Sequence, residues 1–212
     1  NEDIPVNIEL PQKRLEKITF GSFNNISKIT MTVIKTWSKI LLAIPTSRLV
    51  LKLPKLHDNK SYYYKLFTQE GISRERIEFY QPTPSIEEHL SLYNTIDICL
   101  DPFPYNGATT TCEALWMGVP VITLLGNNHV GRVGASILTN IGLTDFIAHD
   151  INGYINLAVV MSANTKLIKE LRAGLRERMQ KAPLCDALSF ASDVEVAYRA
   201  MWSKYQSEVN IR

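Results

Sequence analysis

Asp101-Pro102-Phe103-Pro104-Tyr105-Asn106-Gly107-Ala108-Thr109-Thr110-Thr111-Cys112-Glu113-Ala114-Leu115 decides the fold of this chain. It follows the apolar run Ile96-Asp97-Ile98-Cys99-Leu100 and precedes Val119-Pro120-Val121-Ile122-Thr123-Leu124-Leu125, and both runs read as buried strands. Between them a turn rich in Pro, Asn and Gly delivers three threonines to the start of a helix. A helix N-terminus leaves backbone N–H groups unpaired and carries a partial positive charge. Hydroxyl donors added there, at the carboxyl end of a strand, make a seat for phosphate. An α/β protein binds its nucleotide at such a place.

Working outward, the same alternation continues on both sides. Ile18-Thr19-Phe20-Gly21-Ser22-Phe23 reads as a first strand ended by Asn24-Asn25, and residues 30–43 as a helix with Ile34, Trp37, Ile40 and Leu41 at helical spacing before Pro45. Leu49-Val50-Leu51-Lys52-Leu53 is a second strand, residues 60–70 a tyrosine-rich helix, Arg76-Ile77-Glu78-Phe79-Tyr80 a third strand, and residues 86–93 a short helix. Beyond the fifth strand, residues 135–140 read as helix and Phe146-Ile147-Ala148 as a last strand. Residues 151–162, 165–180 and 190–205 are helical. Strands alternating with helices imply right-handed crossovers and a parallel sheet. The fold class is α/β, a Rossmann-like doubly wound lobe at residues 18–205 with C-terminal helices. Residues 1–17 read as a linker or lead-in and 206–212 as a tail.

The composition excludes several functions. The chain has 212 residues, 45% of them hydrophobic, which suffices for a sizeable core, and a net charge of +2 with no Lys/Arg block, which speaks against nucleic acid as a partner. The longest apolar runs fall far short of a membrane span. No signal peptide is visible, although the N-terminus lacks a starting Met. The three cysteines, Cys99, Cys112 and Cys185, are scattered, without zinc-ligand spacing; Cys99 and Cys112 read as small core residues. A cytoplasmic location fits this pattern.

Strands of such a sheet point their carboxyl ends at the ligand. Four loops should therefore converge: residues 24–28, 52–57, 81–84 and 102–111. Lys28, just past the first strand, is placed to neutralise a diphosphate or to sit as a solvated surface lysine. Thr109, Thr110 and Thr111 either cap their helix or contact phosphate. Glu113, one turn into the helix, either accepts ribose hydroxyls or complements the helix dipole. A lone histidine such as His89 is more often structural than catalytic. His57, His129 and His149 lack partners at ligand spacing, so no metal site is expected. Gly126–Val133 has P-loop-like glycines but no Lys-[Ser/Thr], and no G-x-G-x-x-G follows the first strand. Asp101, next to Pro102, reads as a residue that ends a strand and orders the loop rather than as a general base.

Phe20-Gly21-Ser22-Phe23-Asn24-Asn25-Ile26-Ser27-Lys28-Ile29-Thr30 and Leu100 to Pro120 resemble two signatures of the C-terminal catalytic lobe of the O-GlcNAc transferase and SPINDLY family. Arg132-Val133-Gly134-Ala135-Ser136, Pro183-Leu184-Cys185-Asp186 and Ala197-Tyr198-Arg199-Ala200-Met201-Trp202 extend the resemblance, which is greatest to bacterial tetratricopeptide-repeat (TPR) proteins. It implies the C-terminal, donor-binding lobe of a GT-B glycosyltransferase. The implied reaction is inverting and metal-independent, with no cofactor, and moves a sugar to Ser or Thr hydroxyls of a protein. By the same resemblance Lys28 contacts the diphosphate and is important for activity. Thr109 and Thr110, after Gly107 and Ala108, bind phosphate; Glu113 binds the ribose; His89 lies near the nucleotide. The base rests on the backbone of residues 81–84, where Thr83 stands. The family's animal O-GlcNAc enzymes have Gln where Asn25 stands, whereas its SPINDLY proteins have Asn there too, and Ala108 replaces a histidine that helps bind the nucleotide in the animal enzymes. UDP-GlcNAc is favoured as donor, with GDP-fucose the alternative. The amino-terminal lobe and the repeats that hold the protein acceptor are expected outside this chain. The lobe alone should bind nucleotide weakly, transfer nothing and self-associate through its helical tail, where Trp202 and Tyr205 meet either the other lobe or this one. A non-catalytic nucleotide-binding module, or a GT-B enzyme acting on a lipid or glycan, are the rival readings.

Overall fold

The computed structural model of the chain describes residues 4–11, 17–53 and 60–209. Six parallel strands, β1 (Thr19–Ser22), β2 (Arg48–Lys52), β3 (Ile77–Tyr80), β4 (Ile98–Leu100), β5 (Val121–Leu124) and β6 (Ile147–Ala148), form one sheet in the order β3-β2-β1-β4-β5-β6. The chain runs outward from β1 to β3, then returns across the sheet to place β4 on the other side of β1. The strand order therefore reverses between β1 and β4. At such a switch point the loops leave in opposite directions and open a crevice at the strands' carboxyl ends. Every residue of β1 is buried, as a strand covered on both faces requires.

The eight helices described are α1 (Met31–Ala43), α2 (Lys60–Gln69), α3 (Ile86–Ser91), α4 (Thr109–Trp116), α5 (Val133–Asn140), α6 (Ile151–Ala163), α7 (Thr165–Gln180) and α8 (Ala187–Val209). Thr30 caps α1 by accepting from the Val33 N–H at 3.4 Å, and Val33, Ile34, Trp37, Ile40 and Leu41 bury one stripe against α6 and the sheet. Trp37 is fully buried, and its indole N–H donates to the Tyr154 hydroxyl at 3.3 Å. That hydroxyl donates in turn to the Asp101 carbonyl at 3.0 Å. The core thus reaches from α1 through α6 to the end of β4, where the candidate site begins. Truncating a side chain of this size in a packed core costs about 3–5 kcal/mol. Arg76 closes the other end of α1: its guanidinium donates to the carbonyls of Leu41 and Ile44 at the helix's C-terminal turn.

The expected alternation is present, with boundaries shifted by a few residues. The helix expected at 86–93 stops as α-helix at Ser91 and continues as a 3-10 turn, Leu92–Thr95. β4 begins at Ile98 rather than Ile96, because the Ile96 N–H closes the preceding 3-10 turn on the Tyr93 carbonyl, while its side chain fills the space left by Gly21, where a Cβ would collide with it. Residues 4–11, expected as part of a lead-in, pack on the lobe. Ile4 and Leu10 are buried, and the Asn94 side chain bonds the backbone of Asn7 and Pro5. The rest of the expected lead-in, apart from Lys17, and His57 lie outside the described residues, as do the last three residues of the expected tail.

The last helix differs from expectation in length and partners. α8 spans Ala187–Val209, past both ends of the expected 190–205. Leu188, Phe190, Tyr198, Met201, Trp202 and Tyr205 along it are exposed, and Trp202 stacks on Tyr205 at 5.7 Å instead of packing on the lobe. Among the described residues no helix is long and apolar enough to cross a membrane.

Candidate functional site

The turn after β4 is fixed before any ligand arrives. Asp101 is 1% exposed; one carboxylate oxygen accepts from the Gly107 N–H at 2.6 Å and the other from the Thr123 hydroxyl at 2.7 Å. Asn106 donates to the Pro102 carbonyl at 3.0 Å from its side chain and to Val130 O at 2.9 Å from its backbone. The Gly126–Val133 segment, which resembles a P-loop only in its glycines, therefore serves as a buttress. Gly107 is needed for close approach: a Cβ there would meet the hydroxyls of Thr110 and Thr111 and the Asn24 amide oxygen within 3 Å. Asp101 orders the loop, as its place beside Pro102 implied. Burial pushes its carboxyl up to about 7, against the pull of the Thr123 and Gly107 hydrogen bonds and the Lys28 charge.

The three threonines have three different roles, and none caps α4. The capping position is Ala108, and no side chain bonds the first turn. Thr109 is exposed at the mouth, Thr110 donates to the Asn24 amide oxygen at 2.9 Å, and Thr111 is buried. α4 thus offers an uncapped N-terminus to the crevice. Lys28 ends a 3-10 turn, Ile26–Lys28, that Asn25 caps by accepting from the Ser27 N–H at 3.0 Å. The Lys28 ammonium donates to the Asn106 carbonyl at 2.9 Å and lies 4.3 Å over the Tyr105 ring. It is held across the turn rather than left in solvent. Burial lowers its pKa, and Asp101 pulls it part of the way back.

A second constellation lies beside the first. His89 Nε2 is 3.0 Å from a Glu113 oxygen, which also accepts from the Tyr93 hydroxyl at 3.2 Å. His89 Nδ1 is 2.5 Å from the Lys52 ammonium, which also donates to the Thr83 hydroxyl at 3.0 Å. An ammonium only donates, so Nδ1 must accept. That assigns the ring proton to Nε2, which donates to Glu113. Burial lowers the Lys52 pKa, and Glu113 opposes the shift. A cleft of about 310 Å³ opens here, lined by Phe23, Asn24, Asn25, Lys52, Leu53, Pro82, Thr83 and His89. A larger one of about 960 Å³ starts from Ala108 on the other side and runs past His129, Arg132, Ser136 and His149.

The structure therefore gathers Lys28, Gly107, Ala108, Thr109 and Thr110 around one turn, and Asn25, Thr83, His89 and Glu113 along the neighbouring cleft. The four expected loops converge, apart from residues 54–57, which lie outside the described residues. Sequence reasoning placed Asn24 and Lys52 at the starts of two expected loops without giving either a role, and it missed Tyr93. The one signal for Lys52 was a charged residue at the carboxyl end of an apolar strand. Cys99 is buried in the core, Cys112 half-buried against it, and Cys185 exposed.

Such a switch-point crevice in an all-parallel sheet is common to Rossmann-like lobes, and the solved structures this chain resembles place it among those of GT-B glycosyltransferases. The chain belongs to glycosyl transferase family 41, whose model matches residues 6–194. It is 43% identical over 190 residues to a rice (Oryza sativa subsp. japonica) protein named as a probable UDP-N-acetylglucosamine–peptide N-acetylglucosaminyltransferase SPINDLY, covering 89% of this chain and 20% of that protein. A Caenorhabditis elegans UDP-N-acetylglucosamine–peptide N-acetylglucosaminyltransferase is 28% identical over 216 aligned positions, covering 99% of this chain and 18% of the relative. Among solved structures, the K341M mutant of Thermobaculum terrenum O-GlcNAc transferase superposes with a TM-score of 0.81 at 38% identity, covering 87% of this chain and 36% of that one. The chain thus spans about a fifth of the length of the curated relatives it matches.

Proposed function

We propose that this chain is the donor-binding lobe of an inverting, metal-independent protein O-glycosyltransferase that moves GlcNAc from UDP-GlcNAc to Ser and Thr hydroxyls in the cytoplasm. The observation that carries the reading is the Lys28 ammonium clamped to the Asn106 carbonyl beside the uncapped start of α4. Breaking a sugar–phosphate bond leaves negative charge on the departing diphosphate. A preoriented cation and a row of free N–H groups stabilise that charge without reorganising. No metal or cofactor is needed for this. Thr109 adds a hydroxyl at the mouth, and Thr110 is steadied by Asn24. Glu113, aimed by His89 and Tyr93, accepts the ribose hydroxyls, and the base enters the cleft past Asn25 toward Thr83. On this reading the general base and the surface that holds the acceptor protein are supplied from outside this lobe, so the lobe alone binds donor without transferring it. The exposed apolar residues of α8 favour self-association of the isolated lobe.

The test is peptide glycosylation by the full-length protein with UDP-GlcNAc or GDP-fucose, with and without chelator, for wild type and Lys28→Ala. The expected result is chelator-insensitive GlcNAc transfer that falls about 10²–10³-fold in the variant, with little change in its melting temperature. Transfer by Lys28→Ala at the wild-type rate would refute the assignment. The second reading, GDP-fucose as donor, is favoured by Asn25 and Ala108, and preferential fucose transfer would select it. Nucleotide binding without transfer to any acceptor would leave a non-catalytic binding module.

A further inference from the structure

We infer that Lys52 selects the nucleobase, admitting bases that present a ring keto oxygen and rejecting those that present an exocyclic amino group in its place. This rests on the nucleotide-sugar reading above and adds to it the residue that sets base class. The first argument is position. Contacts lead in sequence from the phosphate seat at the start of α4 to Glu113 one turn on, then to His89, then to Lys52, then to Thr83. A nucleotide with its diphosphate at the first point and its ribose at Glu113 brings its base beside Lys52. The cleft there, of about 310 Å³, has room for one ring system.

The second argument is hydrogen-bond arithmetic. A lysine ammonium has three N–H donors and no acceptor. Thr83 takes one and His89 Nδ1 another. Among the described residues no third acceptor takes the remaining one, and Lys52 lines the cleft. Of the described lining residues, Lys52 alone carries a permanent charge and none is acidic. A free N–H on a partly desolvated cation satisfies a keto oxygen. Set against an amino group it faces another donor, and both lose their partners. Uracil and guanine carry the keto oxygen where cytosine and adenine carry the amino group. Lys52 also holds His89 in the tautomer that aims Glu113, so one side chain serves base and ribose together.

The experiment is calorimetric titration of the full chain with two matched pairs, UDP against CDP and inosine diphosphate against ADP. Each pair exchanges a keto oxygen for an amino group. Wild type should prefer the keto partner of each pair about tenfold or more. Lys52→Met should bring both ratios close to one. Lys52→Gln, whose amide both donates and accepts, should do the same while preserving a bond to His89, and it carries the test if the Met variant fails to fold. Lys28→Ala should weaken all four ligands alike and leave the ratios unchanged. Wild-type binding without keto preference, or variants that keep the preference, would overturn the role of Lys52 and leave the nucleotide reading standing. No binding of any of the four would overturn both.

Discussion

Among the described residues two lysines face the crevice, each buried enough to lower its pKa and each opposed by one carboxylate, Asp101 for Lys28 and Glu113 for Lys52. The carboxylates differ. Asp101 is sealed in the core, and both its oxygens are spent on the protein, on Gly107 and Thr123. Glu113 is only partly buried, held on a single oxygen by His89 and Tyr93. One end of the crevice is therefore a rigid mount, where the acid shapes the loop and leaves the helix start and the lysine to meet the ligand on the proposed reading. The other is a string of side chains, each oriented by the next, that leaves acid oxygen for a ligand. Rigidity at the first end suits developing charge, which rewards preorganisation. A relay of polar side chains at the second suits discrimination between similar ligands.

The largest effect separating the two ends should come from Asp101→Asn, read as stability against pH. The folded carboxyl titrates near 7 and a free aspartate near 3.8, so between those values the native state holds the extra proton. Wild-type stability should then be greatest below the free value and fall as pH rises through 7, by a few kcal/mol at most. Asn keeps an oxygen for the Gly107 N–H and gives its amide N–H to Thr123, and it does not titrate. Urea unfolding at pH 5 and pH 8 should show a loss in wild type that largely vanishes in Asp101→Asn. An equal loss in both would mean that Asp101 is no such mount.

At the softer end Tyr93→Phe removes one hydrogen bond from Glu113 and leaves His89 in place. It should cost about 1 kcal/mol and raise the donor KM a few-fold with kcat retained. A collapse of kcat would show that the base end also serves the chemical step. Smallest in stability is Thr109→Ala, an exposed change expected within about 0.5 kcal/mol. It should still weaken UDP binding measurably, because its hydroxyl stands at the uncapped helix start. Unchanged affinity would take Thr109 out of the phosphate seat.

Much of the rigid end could be read in advance because its signals are local. A strand, a Pro-Asn-Gly turn and a run of threonines within fifteen residues place the helix start, and Asp101 beside Pro102 announces its own role. The threonines looked alike in sequence. Only packing against Asn24, 86 residues from Thr110, separates them. The role of Lys52 stayed hidden because its partners Thr83 and His89 lie 31 and 37 residues away, across a strand pairing that no local pattern encodes. The return of the chain to set β4 beside β1 is likewise a long-range event, although the right-handed crossovers that permit it follow from alternation alone. α8 misled in another way. Its apolar residues suggested either packing on this lobe or contact with another, and periodicity cannot name a partner.

Of the three tryptophans, Trp37 is sealed between α1 and α6, Trp116 is half-buried beneath Arg176, and Trp202 lies on the open face of α8, 60% exposed. Emission from this chain therefore contains separable channels. A water-soluble collisional quencher should extinguish the red-shifted light from Trp202 while sparing the blue light from Trp37. The first signal then reports whatever comes to cover the last helix, and the second reports the integrity of the core that carries the crevice.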